Sequence, residues 1–470
     1  MTDVELIKSK IDIVSFISDY ITVKKAGRNY KALCPFHSEK SPSFIISPER
    51  GSWHCFGACG EGGDALMFLQ KWENIDFLEA LKILAKKTGV TLSHFTPTEE
   101  NKKKEILYEI NHLASEFYHF LLTSHETGKK SREYLKDRKI KEETIKTFKL
   151  GYAPESWDSL HRFLLKKGYE SYDCTTAGLI IKSDSGKYYD RFRGRLMFPL
   201  HDHRGNIAGF SGRLLDEKAA GQEKGVYSER SRGAKYVNTS ETPIYVKGNI
   251  LYGLHITRES IKKENEAIVV EGEFDMLTSF QVGVANIVAI KGSALTEGQT
   301  LLLKRFTDQL ILALDSDFAG NEAAKRGIEI AENAGLSVKV AQIIEGKDPA
   351  DCISINPGIW KKAVKSAIPI YDFIIDNAFE KNKGKEALDK KKISNEVIPF
   401  LSKIENSIIF SHYLKNLAGK LEVSEESVET AIRQFQKKRV VSSIVPQESP
   451  KTSRDILLEK YLLALIIQSH

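Results

Sequence analysis

The chain has 470 residues, with 69 Lys or Arg against 63 Asp or Glu, a formal net charge of +6. A chain this long holds about three domains, and 41% hydrophobic with 28% charged residues excludes a largely disordered or fibrous protein. The longest apolar run, residues 462–467, is far short of the roughly 18 residues of a membrane span, and the early acids Asp3 and Glu5 do not fit a secretory signal, so the sequence predicts a cytoplasmic protein without membrane contact.

In chain order, Val4, Ile7, Ile11, Val14 and Ile17 recur at helical spacing and predict a short amphipathic opening helix, with a second helical run over 64–88. Between them fall Cys34, Cys55 and Cys59. With Cys174 and Cys352 they are too uneven for a disulfide framework, and the cluster reads as metal ligands. Cys34-Pro35-Phe36-His37 and Cys55-Phe56-Gly57-Ala58-Cys59 set two ligand pairs 17 residues apart. Zn²⁺ takes four nitrogen or sulfur ligands in a tetrahedron, and two short turns joined by a hairpin can aim them at one ion. The set Cys34, His37, Cys55 and Cys59 therefore predicts one structural zinc per chain, in a small zinc ribbon over residues 1–97. His54 competes as a ligand, but it adjoins Cys55, which makes joint ligation awkward. Lys24, Lys25, Arg28, Lys31 and Lys40 with Tyr30, Phe44, Trp53 and Phe56 mix charge and aromatic rings as single-strand-binding surfaces do. A solvated basic face over a small core reads equally well.

Residues 98–105 are polar without apolar periodicity and are expected to form a flexible linker. Helical spacing resumes at Ile106, Ile110, Leu113 and Phe117, then gives way to Gly- and Arg-rich helices and strands. This is a mixed α+β basic subdomain over 106–264, within which 217–235 reads as a long surface loop. Over 265–347, four β-rich runs (267–270, 287–290, 310–314 and 338–341) alternate with helical segments such as 321–333, which Gly335 stops. That pattern predicts an α/β domain with a largely parallel sheet. Residues 348–440 read as a Lys-rich C-terminal helical subdomain, 441–454 as a Ser/Pro linker and 455–470 as the start of a further apolar helix. The fold class is multidomain α/β.

Acids fall just beyond the predicted strands: Glu271, Asp315 and Asp317, then Asp348 and Asp351. Parallel strand ends converge on one sheet edge, where such folds bind ligands. Carboxylates gathered there repel one another unless a divalent cation neutralises them, and hard oxygen ligands suit Mg²⁺ or Mn²⁺. A metal pair so held can activate an attacking hydroxyl and stabilise a leaving pyrophosphate. Helix capping would explain Asp275 or Asp351 singly but not the whole set. Upstream, Arg191, Arg193, Arg195, Arg213, Lys235 and Lys247, with Asn238, form a basic strip suited to a triphosphate and a nucleic-acid backbone.

Together these residues resemble a known family, the bacterial replicative DNA primases. Cys34-Pro35-Phe36-His37 with Ser41-Pro42-Ser43-Phe44, and His54-Cys55-Phe56-Gly57 through Gly62-Gly63-Asp64, are similar to its zinc-binding module. Tyr189-Asp190-Arg191-Phe192-Arg193-Gly194-Arg195, Gly209-Phe210-Ser211-Gly212-Arg213 and Lys235-Tyr236-Val237-Asn238 resemble its polymerase core. Val270-Glu271-Gly272-Glu273-Phe274-Asp275 and Leu314-Asp315-Ser316-Asp317 resemble the two signatures of the Toprim fold, here the 265–347 domain. The resemblance covers roughly residues 1–440. It implies a DNA-dependent RNA polymerase making short primers on single-stranded DNA from ribonucleoside triphosphates. Glu271, Asp315 and Asp317 would be catalytic and hold Mg²⁺ with Asp348. Arg191, Arg193, Arg195, Arg213, Lys235, Asn238 and Lys247 would contact nucleotide or template.

Three departures stand out. Ala58 adds a residue between the last two cysteines, Ala350 replaces an acid of the family's Asp-Pro-Asp and leaves open whether Asp351 substitutes for it, and only 457–470 would begin the family's helicase-docking domain. Binding of the replicative helicase through that domain is therefore doubtful. The alternatives are another Toprim enzyme that cleaves DNA strands, a topoisomerase or nuclease, and a non-enzymatic zinc DNA-binding protein. The zinc module and Arg-rich core argue against the first and the ordered acids against the second. No Gly-x4-Gly-Lys-Ser/Thr loop supports a fused helicase.

Overall fold

The structure, a computed structural model, describes residues 2–37, 39, 41–73, 75–92, 99–215, 234–292, 294–313, 322–382, 386–404 and 406–444. The chain divides into two compact units, Met1–Pro369 and Ile370–His470. Among the described residues no helix is long and apolar enough to cross a membrane.

The opening apolar run forms two helices, Asp3–Lys10 and Ile13–Ser18, because the Asp12 carboxylate caps the second by accepting the Ser15 N–H at 2.6 Å. The 64–88 run likewise divides into Ala65–Glu73 and Phe77–Thr88, the latter capped by Asp76. Between these pairs lie β1 (Lys24–Ala26), β2 (Asn29–Ala32), β3 (Phe44–Ser47), β4 (Ser52–Cys55) and β5 (Gly62–Gly63), an antiparallel sheet in sequence order. Strand alternation turns Phe44, Ile46, Trp53 and Cys55 inward. Phe44 stacks on Trp53 at 4.9 Å, and both rings pack edge-on against Phe68.

Most of the expected linker is helix. Residues 99–105 open the helix Glu99–Thr123, where Glu99–Lys102 and Glu100–Lys104 pairs one turn apart support a segment without an apolar stripe. Nor is the attachment loose. Lys82 Nζ lies 2.8 Å from Glu105 Oε1, Glu73 pairs with His203, and Arg204 pairs with Glu79 and with Asp202 at 3.4 Å. The Arg305 guanidinium sits 5.2 Å from the Trp72 ring.

Next come β6 (Gly151–Ala153), β7 (Ile180–Lys182), β8 (Tyr188–Asp190), β9 (Arg195–His201), β10 (Ile207–Leu214) and β11 (Tyr236–Asn238). β7 and β8 form a hairpin, and the others an antiparallel sheet ordered β11-β10-β9-β6. Both faces of this sheet are covered. Met197 and Phe210 join Leu107, Ile110, Ala114 and Tyr118 of the long helix in one core, while Leu196, Phe198 and Leu200 join Ile268, Val270 and Phe274 in another. The long loop expected at 217–235 falls almost wholly outside the described residues.

The third sheet has β12 (Ala267–Val270), β13 (Ile287–Ala289), β14 (Gln309–Leu312), β15 (Ser337–Val340) and β16 (Ile368–Pro369), ordered β13-β12-β14-β15-β16. Its first four strands are parallel, as the apolar runs predict, and β16, which no run marked, joins the edge antiparallel. The chain leaves β12 toward β13 on one side and β14 toward β15 on the other, which opens a crevice at the strand ends. The helices Pro349–Ile355 and Pro357–Lys365 bury Cys352, Ile353 and Trp360 in the core shared with this sheet. The expected helical subdomain therefore begins at Ile370 rather than 348. That second unit contains the helices Ile370–Asn382, Ala387–Leu401, Ser407–Leu421 and Glu425–Ile444, with Ile375, Ile393, Val397, Leu417 and Ile432 buried. The last residues of the 441–454 linker and all of 455–470 lie outside the described residues.

Gly151 is where the long helix meets β6: a Cβ there would stand 2.5 Å from Tyr118 Cβ and 2.8 Å from its carbonyl carbon. Gly151→Ala should destabilise the protein by about 1–3 kcal/mol, read as a lower midpoint in chemical denaturation.

Candidate functional site

Two local arrangements carry chemistry. In the first, the turns after β2 and after β4 bring Cys34, His37, Cys55 and Cys59 together, with one ligand atom from each within 4.8 Å of the others. Among the described residues this is the one such group of three or more possible metal ligands. Cys34 and Cys59 sulfurs are 3.7 Å apart, and Cys55 Sγ is 3.8 Å from His37 Nδ1. Bonds of about 2.3 Å to sulfur and 2.0 Å to nitrogen at tetrahedral angles place such atoms roughly 3.5–3.8 Å apart, so the residues fit zinc. His54 is exposed on the opposite sheet face and is not part of the group.

The donors around the cluster complete the fit. Glu39 Oε1 accepts the Cys34 N–H at 2.6 Å and the Ser43 N–H at 3.0 Å, and Glu39 Oε2 lies 3.2 Å from His37 Nε2. The Ala58 N–H also points to Nε2 at 3.3 Å. Only one contact can hold at once, and a metal on Nδ1 puts the proton on Nε2 and selects Glu39. Burial pushes the Cys34 and Cys59 thiols up, whereas the Ser43 hydroxyl and the Gly57 N–H outweigh burial at Cys55 and hold it down. A dication supplies the charge that lets all three sit as thiolates.

The rings expected to grip a single strand divide sharply. Phe44 and Trp53 are core residues, 0% and 2% exposed, whereas Phe56 is 74% exposed beside His54, ring centroids 4.7 Å apart. Lys24, Lys31, Ile45 and His54 are register partners across β1 to β4 and share the outer face. Lys25 and Arg28 are exposed, and Lys40 lies outside the described residues.

The second arrangement lies at the C-terminal edge of the parallel sheet. Glu271 follows β12 directly and is half-buried, its carbonyl accepting the Lys291 N–H at 3.0 Å. Asp275, buried in the next helical turn, uses both oxygens: Oδ2 accepts the Gly272 N–H at 3.2 Å and Oδ1 the Ala350 N–H at 3.1 Å. It thereby ties the Glu271 turn to the loop of Asp348. Asp348 caps the helix Pro349–Ile355 by accepting the Asp351 N–H at 2.7 Å through Oδ1. Position 350 contributes its main chain, a role alanine fills. Asp315 and Asp317, just past β14, lie outside the described residues. Half-buried carboxylate oxygens tied to one edge suit a hard dication such as Mg²⁺.

The basic strip is partly architecture. Arg191 donates to the Asn238 carbonyl at 3.0 and 3.3 Å, and Arg195, 4% exposed, donates to the carbonyls of Gly212 and Ala234. Arg193 donates to the Asp190 carbonyl and stacks 4.4 Å from the Trp157 ring. Asp190 caps the helix Ser159–Lys166 through the Leu160 and His161 N–H groups. Arg213 donates to Tyr236 Oη at 2.6 Å and is ringed by Tyr134, Tyr236 and Phe274. Lys235 and Lys247 are exposed and Asn238 is half-buried on β11.

Sequence reasoning missed Glu39, Arg138, Glu273 and Lys291. Arg138 is exposed over the same Tyr134 and Phe274 rings as Arg213. Lys291 Nζ lies 2.9 Å from Glu273 Oε1 and donates to Asn238 Oδ1 at 3.1 Å. Burial works against charge on Glu273, yet the Lys291 ammonium outweighs it and holds the carboxyl below its ordinary value. Only Glu39 had a local signal, two residues beyond a ligand.

Comparison with known proteins agrees along the chain. Residues 1–100 match the CHC2 zinc finger family, 117–258 the N-terminal domain of the DNA primase catalytic core, 268–353 a Toprim-like family, and 371–426 the DnaB-helicase binding domain of primase. A DNA primase of Halalkalibacterium halodurans is 36% identical over 434 residues, 90% of this chain and 69% of that one. One of Geobacillus stearothermophilus is 36% identical over 470 residues, 98% of this chain and 75% of that one. The crystal structure of the zinc-binding and RNA polymerase domains of the Aquifex aeolicus primase has a TM-score of 0.57 and 31% identity, covering 91% of this chain and 99% of that one. A DnaG primase catalytic domain bound to single-stranded DNA has a TM-score of 0.57 and 27% identity, covering 70% and 99%. The match at 371–426 overturns the expectation that a helicase-docking domain barely begins at 457. The region is the helical second unit, whose Lys-rich surface carried no sign of a partner in its pattern.

Metal analysis should find one zinc per chain, lost in Cys34→Ser. Glu39→Gln should keep the ion but bind it about 10- to 100-fold more weakly, as measured by chelator competition.

Proposed function

The chain belongs to the DNA primase family, and on that premise we propose how its residues divide the work of a DNA-dependent RNA polymerase that lays short RNA primers on single-stranded DNA. Asp275 carries the reading: through both oxygens it holds the Glu271 turn to the Asp348 loop, which keeps these two acid-bearing segments together at one edge of the parallel sheet. Glu271, Asp315, Asp317 and Asp348 are the proposed Mg²⁺ ligands. When bound, the ion neutralises charge developing on the triphosphate. Ribonucleoside triphosphate and template would lie along Arg213, Lys235, Asn238 and Lys247. The Arg213 guanidinium is held by its aromatic cage and the two lysines reach solvent. Arg191, Arg193 and Arg195 support that strip from behind through main-chain carbonyls.

The zinc ribbon, with Lys24, Lys31, His54 and Phe56 outward, would engage the template. The second unit would bind the replicative helicase, and the whole would act in the cytoplasm. The strand-cleaving alternative loses ground because the primase catalytic core and zinc finger families match alongside the Toprim-like one.

Glu271→Gln, Asp315→Asn or Asp317→Asn should each lower primer synthesis at least about hundredfold. The proteins should stay folded by circular dichroism and keep or slightly strengthen single-stranded DNA binding, since a negative charge is removed. Lys235→Ala should weaken that binding and flatten its salt dependence by roughly one counterion. Near-native synthesis by Asp315→Asn in Mg²⁺ would overturn the catalytic assignment.

A further inference from the structure

We propose that Lys291, with Glu273 as its counter-charge, is a positioning residue that sets which way the Asn238 amide faces. Lys291 stands just past β13 in the left-handed region, φ 56°, an uncommon conformation for a residue with a side chain. Its N–H is bonded to the Glu271 carbonyl at 3.0 Å, so its main chain belongs to the acidic turn. Its side chain is 7% exposed and meets Glu273, itself 4% exposed, at 2.9 Å. A buried ammonium needs both a counter-charge and acceptors for its remaining hydrogens. Glu273 supplies the charge, and Asn238 Oδ1 at 3.1 Å supplies an acceptor from a different sheet.

The chemistry then dictates orientation. An ammonium has three donors and no acceptor, and an amide has one oxygen and one –NH₂. Asn238 can offer Lys291 only its oxygen, so the –NH₂ is turned to the other branch, and among the described residues no acceptor is bonded to it. Arg191 clamps the Asn238 carbonyl from the main-chain side. Held at both ends, Asn238 presents a fixed hydrogen-bond donor, which suits a phosphate or hydroxyl oxygen of the incoming nucleotide and not a donor group. The same bridge ties β11 to the turn that carries Glu271, so the donor and the acid move as one piece. This inference rests on the reading of Asn238 as a nucleotide-groove residue.

The test is steady-state primer extension with the full chain, alongside thermal melting. Asn238→Asp keeps and strengthens the pairing with Lys291 but has no donor. It should melt at or above the parent temperature while KM for the nucleotide rises roughly tenfold or more. Lys291→Met alone strands a buried Glu273, so the fold is protected by pairing it with Glu273→Leu. That double variant should fold yet show a several-fold higher KM with kcat much less affected, and Lys291→Arg, which keeps the donors, should recover most of the loss. Native KM in Asn238→Asp, or in a folded double variant, overturns the proposal. If Asn238→Ala itself leaves KM unchanged, the groove reading falls and the inference with it. If Asn238→Ala raises KM but the double variant does not, the bridge alone is refuted.

Discussion

Strand β9 is the element on which the first unit is built. Its alternation puts Leu196, Phe198 and Leu200 into one core and Met197 into another, so a single strand belongs to both cores at once. Fully burying a Leu, Met or Phe side chain is worth about 1.5–3 kcal/mol, whereas an exposed ion pair contributes at most about 1 kcal/mol. The relation between the basic strip on β10 and β11 and the acidic edge of β12 is therefore set by shared apolar packing. Ion pairs such as Lys82–Glu105, which joins the helix Phe77–Thr88 to the helix Glu99–Thr123, act elsewhere.

Against that frame, the two chemistries differ in how far their parts lie apart in sequence. The zinc ligands come from two short turns of one hairpin-joined module and can form with little help from the rest of the chain. The acidic edge is assembled from the ends of several strands, and its basic counterpart from a different sheet. A groove of that kind exists only once both cores are packed, which makes its geometry a property of the whole unit.

This explains what could be read in the sequence. Cys34, His37, Cys55 and Cys59 were legible because ligand spacing is local, and the parallel sheet because runs such as 267–270 are buried on both faces. Phe44 and Trp53 were misjudged as strand-gripping rings although the pattern held the answer: they stand on the same strand faces as Ile46 and the ligand Cys55, which marks the inward side. The Arg191-to-Arg195 run was harder, since five N–H donors serve a phosphate or a main-chain carbonyl equally well and only the fold shows which is within reach. Helix 99–123 begins with paired charges rather than apolar residues, so its first turns looked like linker. Lys291 gave no signal at all, because its partners lie 18 and 53 residues away in sequence. The helicase-binding region was hidden for a related reason: a Lys-rich helical pattern says that helices form and nothing about what they meet.

The aspartate at 275 concentrates a burden that would otherwise be spread over two loops. Because it reaches Gly272 and Ala350 through main-chain N–H groups, neither loop has to supply a particular side chain to stay in register with the other. The loop around 350 therefore accommodates a residue as plain as alanine, while the spacing between the two acid-bearing segments is held through main-chain groups. The spacing rests on one side chain and two main-chain N–H groups, so a change of side chain at the rim need not disturb it.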